Sequence, residues 1–374
     1  MLIGIPRETR PGETRVAATP ETVKKLAASG AHGIIVESGA GTASSIPDVD
    51  FAAAGARIGT AAEALAAELV LKVRAPTAEE LPKLHSGAVL VGLLNPFDAA
   101  GTASLAATGV TAFALESLPR ISRAQSMDVL SSQANIAGYK AMMIAANEYA
   151  RFMPMLMTAA GTVKAARVLI MGVGVAGLQA IATAKRLGAV IEATDVRPSV
   201  KDQVESLGAK WVDVPYANDE EREIAEGVGG YARPMPAEWM ARQAGIIAER
   251  CKQVDIVITT ALIPGRPAPK LVKAETVAAM KPGSVLVDLA VEQGGNVEGS
   301  EAGKVVDRNG VKIVGTTNLP ALVATDASAL YARNVLNFLA LSLNLKSGEF
   351  KLARDDEIVQ ATLICDAGQV PAKK

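Results

Sequence analysis

The run Val168-Leu-Ile-Met-Gly172-Val-Gly174-Val-Ala-Gly177 places three glycines at G-x-G-x-x-G spacing directly behind four apolar residues. Residues of this kind can hold a dinucleotide. Gly172 makes a tight turn, Gly174 lets the backbone approach a pyrophosphate, and Gly177 lets a helix lie close on the strand before it. The pyrophosphate then meets the free N–H groups and the positive end of that helix. A second apolar run, Ala189 to Ala193, ends just before Asp195, where a carboxylate can accept both ribose hydroxyls of an adenosine. The same carboxylate repels a 2′-phosphate, so the pattern favours NAD over NADP. Arg197, two residues on, keeps NADP from being excluded outright.

A second polar set is Arg120-Ile-Ser122-Arg123-Ala-Gln125-Ser126-Met-Asp128-Val-Leu-Ser131-Ser132-Gln133. Two arginines, a glutamine and an acid can hold a carboxamide and a ribose. Equally, the segment can be a solvated loop in which Asp128 or Ser131 caps the helix that follows. Oxidation of an alcohol or amine carbon removes a proton along with the hydride, and histidine most often takes it. The two histidines, His32 and His85, lie in polar connections that suit the surface better. Lys72 remains, in an otherwise apolar strand, and its simplest reading is a strand-end lysine with its head in water. Cys251 and Cys365 have neither disulfide-framework nor metal-ligand spacing, so no metal is expected and a reducing cytoplasm fits.

The elements that must carry these residues alternate. Strands are expected at Leu2–Ile5, Gly33–Glu37, Leu69–Val73, Ala88–Leu94 and Val110–Leu115. Thr19-Pro20-Glu21 starts a helix, and shorter helices follow Asp48 and span Ala61–Ala67. Later strands are Lys210–Val214, Val254–Thr259, Ser284–Leu289 and Val311–Gly315, with a helix at Val200–Leu207. Such alternation argues for parallel sheets covered by helices. The long stretch Tyr216–Pro236 reads as an irregular binding loop or a disordered acidic insert. Helices near 135–152 and 326–343 would connect two domains.

The fold expected is α/β, with two Rossmann-like domains and a cleft between them. The dinucleotide domain, 131–324, is inserted into a first domain made of 1–130 and 325–374. With 374 residues, 49% of them hydrophobic, the chain can build two large cores. A formal net charge of −1 without basic blocks gives no support for nucleic-acid binding. The start of the chain reads without a signal peptide, and no uncharged apolar run reaches membrane-spanning length.

These residues together resemble domain I, the NAD(H)-binding component of proton-translocating nicotinamide nucleotide transhydrogenase, over nearly the whole chain. The most specific parts are Arg120 to Asp128, Met157-Thr-Ala-Ala-Gly-Thr162, Gly172 to Gly188, Thr194-Asp-Val-Arg197, Gly229-Gly-Tyr-Ala232 and Thr259-Thr-Ala-Leu-Ile-Pro-Gly265. The resemblance implies that Arg120, Ser122, Gln125, Asp128 and Ser131 surround the nicotinamide and its ribose. It places Val175 by the pyrophosphate and Asp195, Val196 and Arg197 by the adenosine. Gly230, Gln243 and Leu262 would complete the pocket, with Tyr231 on a mobile loop that closes over the nucleotide. It further implies a homodimer, an NADP(H)-binding partner subunit and a proton-conducting membrane subunit. The chain itself would be a cytoplasmic subunit, peripheral on the cytoplasmic face of the inner membrane.

Alanine dehydrogenase is a relative with the same fold, sharing Arg7-Glu to Arg15-Val-Ala, Lys72 and the run from Lys281-Pro-Gly283 to Gln293-Gly-Gly295. That family carries a histidine where Asn95 stands here, and an aspartate where Glu292 stands. A soluble amino-acid dehydrogenase is therefore the competing reading, and a nucleotide sensor without chemistry is a third. Hydride transfer between two nicotinamide rings needs no general acid or base, which fits the scarcity of histidine. Gln125, whose amide offers a donor and an acceptor together, is the expected catalytic positioner, alongside Arg120 and Asp128.

Overall fold

A computed structural model describes residues 1–226, 235–263 and 265–371 of the chain. They form two units, Met1–Gln133 with Pro320–Lys374, and Ala134–Leu319.

The first unit is built on a seven-stranded sheet. Across it the strands run Leu363–Cys365, Thr111–Ala114, Val89–Leu93, Leu69–Arg74, Leu2–Ile5, Gly33–Glu37 and Arg57–Gly59. All pair in parallel except Leu363–Cys365, which runs antiparallel along one edge. Strands covered on both faces read as unbroken apolar runs, and Leu69-Val-Leu-Lys-Val73 is buried at every position. The helix Pro20–Ala27 starts on proline, with the Thr22 hydroxyl accepting from the Thr19 N–H at 2.9 Å. Helix Ala324–Leu339 covers the sheet and buries Tyr331, whose hydroxyl donates to the Lys72 carbonyl at 2.7 Å.

The second unit repeats the plan. Its strands run Lys210–Trp211, Val190–Thr194, Arg167–Met171, Ile256–Thr259, Val285–Asp288, Val311–Val314 and Val305–Arg308, the last antiparallel at the edge. With only the parallel strands numbered in chain order, both sheets read 3-2-1-4-5-6, the doubly wound order of nucleotide-binding folds. Alternation along the first strand splits its side chains between two cores. Val168 and Ile170 join one apolar cluster, while Leu169 and Met171 join another. A separate hairpin, Leu156–Thr158 with Gly161–Val163, belongs to neither sheet and leaves Met157 71% exposed.

Several sequence expectations change. The helix expected at 135–152 is Val129–Glu148, beginning earlier because Asp128 caps it. Part of the stretch expected to be irregular is the helix Asp219–Glu226, led by Asp219, Glu220 and Glu221 at its positive end. Residues 227–234 lie outside the described residues. Strand Arg57–Gly59, the hairpin, and helices Ala99–Ala107 and Ala237–Cys251 were not expected. The tail holds the helix Glu357–Thr362 directly before the strand Leu363–Cys365.

Candidate dinucleotide site

Three glycines of the second unit have separable tasks. Gly172 turns at φ +91°, and its carbonyl accepts from the Thr260 hydroxyl at 2.8 Å. A Cβ on Gly172 would stand 2.6 Å from that hydroxyl, and one on Gly177 would overlap the Gly172 carbonyl. These two residues let strand and helix close on one another. A Cβ on Gly174 would meet nothing within 4 Å, so that position faces open space. Gly174 also N-caps the helix Val175–Arg186, and no side chain caps it. The first-turn N–H groups, Val175 among them, are thus aimed where an anion fits.

Asp195, at the end of strand Val190–Thr194, is tied to the turn. Its Oδ2 accepts from the Val173 N–H at 2.7 Å. Arg197 donates to Oδ1 from its backbone N–H and from Nε, each at 2.9 Å, and to Oδ2 from Nη2 at 2.9 Å. Burial alone raises the Asp195 carboxyl, but the bonds and charge of Arg197, with the two N–H groups, outweigh it and hold the carboxyl below its usual range. Val196 packs against the small cluster of Val214, Ala225, Met235 and Trp239. Gln243 is buried on helix Ala237–Cys251, whereas Leu262 is exposed. Gly230 and Tyr231 fall outside the described residues.

The loop that carries Leu262 is bracketed from behind. Asp288, fully buried, accepts the N–H groups of Ala290, Asn296 and Val297 at 3.0, 3.1 and 3.1 Å. Asn296 then accepts from the Ala261 N–H at 3.0 Å and donates to the Ala261 and Pro269 carbonyls at 2.9 and 2.8 Å. Gly294 and Gly295 both have positive φ, and a Cβ on Gly295 would stand 2.6 Å from Asp288 Oδ2. The Gln293-Gly-Gly295 run therefore has a structural reason in this chain. Asn296 escaped the sequence reading, because only the fold puts it against Ala261; Thr260 lay within the Thr259–Gly265 run, but its bond to the Gly172 carbonyl is set by the fold. Gly138 escaped too, although a lone glycine inside a helix is a signal of close approach. A Cβ there would overlap the Ala176 carbonyl.

Arg120, Ser122, Gln125, Asp128 and Ser131 lie at the boundary end of the first unit. Ser122–Met127 is a 3₁₀ turn that buries Ala124 and Met127 and exposes Ser122 and Gln125; Arg120, just before it, is exposed. Asn334 and Asn337 both donate to the Ser126 carbonyl, at 2.8 and 2.9 Å. Arg123 grips Asp356 at 2.6 and 3.2 Å. The Asp128 carboxylate accepts from the Ser131 N–H at 2.9 Å and its hydroxyl at 2.6 Å, the capping role that the sequence left open. Thus the turn is anchored by its apolar and capping residues, and Gln125 is presented at its surface.

The expectation for Lys72 is corrected. Its side chain is 1% exposed, with Nζ 3.1 Å from Glu80 and 3.5 Å from Glu8. Arg15 is equally buried, bonded to Glu13 at 2.7 Å and Gln133 at 2.8 Å. Asn95 sits at φ +55° with its N–H on Glu116 at 2.6 Å, a left-handed position that suits asparagine. Glu292 accepts from the Asn318 N–H at 3.1 Å. Among the described residues no cluster of His, Cys, Asp or Glu could hold a metal ion. None of the described helices is long and apolar enough to cross a membrane.

With this geometry in place, comparison with known proteins is informative. Residues 4–137 match the model of the alanine dehydrogenase/PNT N-terminal domain, and residues 141–373 that of the C-terminal domain. The chain is 53% identical to the first of the chains that make up NAD(P) transhydrogenase subunit alpha in Rhodospirillum rubrum, over 99% of this chain and 97% of that protein. It is 35% identical to an alanine dehydrogenase of Mycobacterium tuberculosis, over 80% of this chain and 75% of that one. The solved structure of transhydrogenase from Sinorhizobium meliloti superposes with a TM-score of 0.89 at 50% identity, covering 99% of this chain and all of that one. Two domain models that together cover nearly the whole chain, and relatives spanning nearly its full length, place the chain in the alanine dehydrogenase/PNT family, among its transhydrogenase alpha members.

Proposed function

We propose that this chain is the NAD(H)-binding subunit of a proton-translocating transhydrogenase. In this reading hydride passes directly between NADH held here and NADP⁺ held on a partner subunit, and a membrane subunit couples the transfer to protons. The chain works as a homodimer on the cytoplasmic face of the membrane. The observation that carries the reading is the Asp195 carboxylate, fastened to the glycine turn through the Val173 N–H, beside the open face of Gly174. The names of the Rhodospirillum and Sinorhizobium relatives support it.

Gly172, Gly174, Gly177 and Val175 receive the pyrophosphate; Asp195, Val196 and Arg197 receive the adenosine. Arg120, Ser122, Gln125, Asp128 and Ser131 form the nicotinamide side, and Gly230, Tyr231, Gln243 and Leu262 complete the pocket. Bound NADH supplies the hydride. Transfer between two such rings frees no proton at the reacting carbons, so the chain's residues act by position. They hold reacting atoms roughly 3–3.5 Å apart and keep water out. Asp128 fixes the 3₁₀ turn through its cap, Arg120 orients the ring, and the Gln125 amide braces it against its counterpart on the partner.

Isothermal titration tests nucleotide choice: NADH binds and NADPH binds far more weakly, whereas equal affinities would overturn the assignment of Asp195. Asp195→Asn weakens NADH by roughly 1–3 kcal/mol, the range for a lost charge-assisted bond. Stopped-flow transfer from NADH to an NADP⁺ analogue on a partner domain tests the hydride step. Gln125→Asn, one methylene shorter, keeps NADH affinity and slows transfer markedly. An unchanged single-turnover rate removes Gln125 from the mechanism.

The retained Arg15 and Lys72, with 35% identity to the Mycobacterium enzyme, favour a second reading as an amino-acid dehydrogenase. Against it, Lys72 is bracketed by two carboxylates and Arg15 is committed to Glu13 and Gln133. Pyruvate, ammonia and NADH with the purified chain decide between them, since robust NADH oxidation would establish the dehydrogenase.

A further inference from the structure

Asp195 is asked by the proposed function to take both hydroxyls of a ribose, yet its carboxylate is already full. Oδ1 accepts from the Arg197 N–H and Nε, and Oδ2 accepts from the Val173 N–H and Arg197 Nη2. An ionised carboxylate has about four lone-pair sites, and four donors occupy them. Neither ribose hydroxyl can donate until a donor leaves. Two of the four are backbone N–H groups, one from the glycine turn and one from the residue that leads into the 3₁₀ turn Pro198–Val200. The other two come from one side chain. That side chain is 18% exposed against 6% for the carboxylate, so the guanidinium lies on the solvent side of the pair. A side chain, unlike the two backbone N–H groups, can leave by rotating about its own bonds.

We propose that Arg197 is a displaceable plug on Asp195 and a latent ligand for a 2′-phosphate, so that the pair, and not Asp195 alone, decides which dinucleotide is taken. The proposal rests on the reading of Asp195 as the adenosine-ribose acceptor. A ribose with a free 2′-hydroxyl brings two O–H donors, which replace the two guanidinium donors on the carboxylate while both backbone donors stay. A 2′-phosphate brings only acceptors and negative charge. It cannot replace those donors, and the Arg197 cation is held bidentately by the carboxylate it would have to compete with. Asp195 thus excludes NADPH twice, by repulsion and by sequestering Arg197. Without the Asp195 charge the guanidinium fork is no longer claimed by that carboxylate, and a phosphate matches its geometry.

The test is titration of NADH and NADPH, read by nucleotide fluorescence, with the full-length wild type, Asp195→Asn, Arg197→Met and the double variant. Thermal unfolding of each checks that it folds. Asp195→Asn is expected to bind NADPH about tenfold or more tighter than the wild type, and the double variant to lose that gain, in line with the strength of a bidentate charge-assisted pair. Arg197→Met alone is expected to speed NADH association several-fold. An NADPH gain that is absent, or equally large without Arg197, overturns the latent ligand; an unchanged NADH association rate overturns the plug. If Arg197→Met does not fold, Arg197→Lys in the Asp195→Asn background serves instead. It keeps the charge without the fork, so only part of the NADPH gain should survive, and a full gain would count against the proposal. Failure of the wild type to bind NADH would instead remove the reading of the site itself.

Discussion

The two sheets share a strand order, and in each the order reverses between the first and fourth strands, where ligands of such folds usually sit. What the chain puts there differs. Beyond Arg167–Met171 and Ile256–Thr259 stand glycines, an open face at Gly174 and the Asp195 carboxylate paired with Arg197. Around the ends of Leu2–Ile5 and Leu69–Arg74 stand Glu8, Glu13, Arg15, Glu80 and the strand's own Lys72 and Arg74, with Lys72 and Arg15 at most 2% exposed. Glu8 also accepts from the Val73 N–H at 2.6 Å, which fastens the cluster to the strand end. One switch point is left open by removing side chains; the other is filled by charges that satisfy one another. The same topology therefore fixes where a site can be, and local side chains decide whether it is vacant or sealed.

The sharpest way to break this contrast is Lys72→Met. It leaves Glu8 and Glu80 buried without their cation, and breaking a buried pair costs about 3–5 kcal/mol. Urea unfolding should show that loss while NADH affinity stays at the wild-type value. A parallel loss of NADH binding would mean that the sealed region serves the nucleotide.

Next come the glycines, which should separate packing from binding. Gly177→Ala drives a Cβ into the Gly172 carbonyl and should cost about 1–3 kcal/mol of stability along with NADH binding. Gly174→Ala adds its methyl to open space, so the melting temperature should hold while NADH affinity falls. Equal melting losses in the two would refute the division of labour.

The smallest effect concerns pH in the sealed cluster. Burial pushes the Glu8 carboxyl from 4.5 up to about 6, against the pull of Lys72. The folded state then holds this proton more tightly than the unfolded state. Its contribution is complete below pH 4.5 and is lost as pH rises through about 6. Glu13 acts in the opposite sense. Burial raises it, but the bonds and charge of Arg15, with the charge of Arg74, hold it at about 2, so its contribution is present above pH 4.5 and lost on acidification. Glu8→Gln should therefore flatten the fall in stability between pH 4.5 and 7 by about 2 kcal/mol, from 1.36 kcal/mol per unit. Urea midpoints at the two pH values measure it, and an unaltered fall would place the ionisation elsewhere.

Much was legible in the amino-acid order because it is written in local patterns. The glycine spacing behind an apolar run, the acid after the second run, and the alternation of strands and helices depend on neighbours a few residues apart. For the same reason the cap at Asp128 was legible as one of two readings, and the structure finds it in use with Gln125 still at the surface. What only the tertiary structure decided were contacts between residues far apart in the chain. Lys72 looked like a solvated strand end, because nothing near it in sequence announces Glu8 and Glu80 as partners. Thr260 reaches the Gly172 carbonyl and Asn296 the Ala261 backbone through strand order, and the four donors that fill the Asp195 carboxylate appear only in atomic geometry. A side chain's type and its neighbours set what it can do; burial and distant partners set whether its charge meets water, a ligand or another residue, and those are properties of the folded chain.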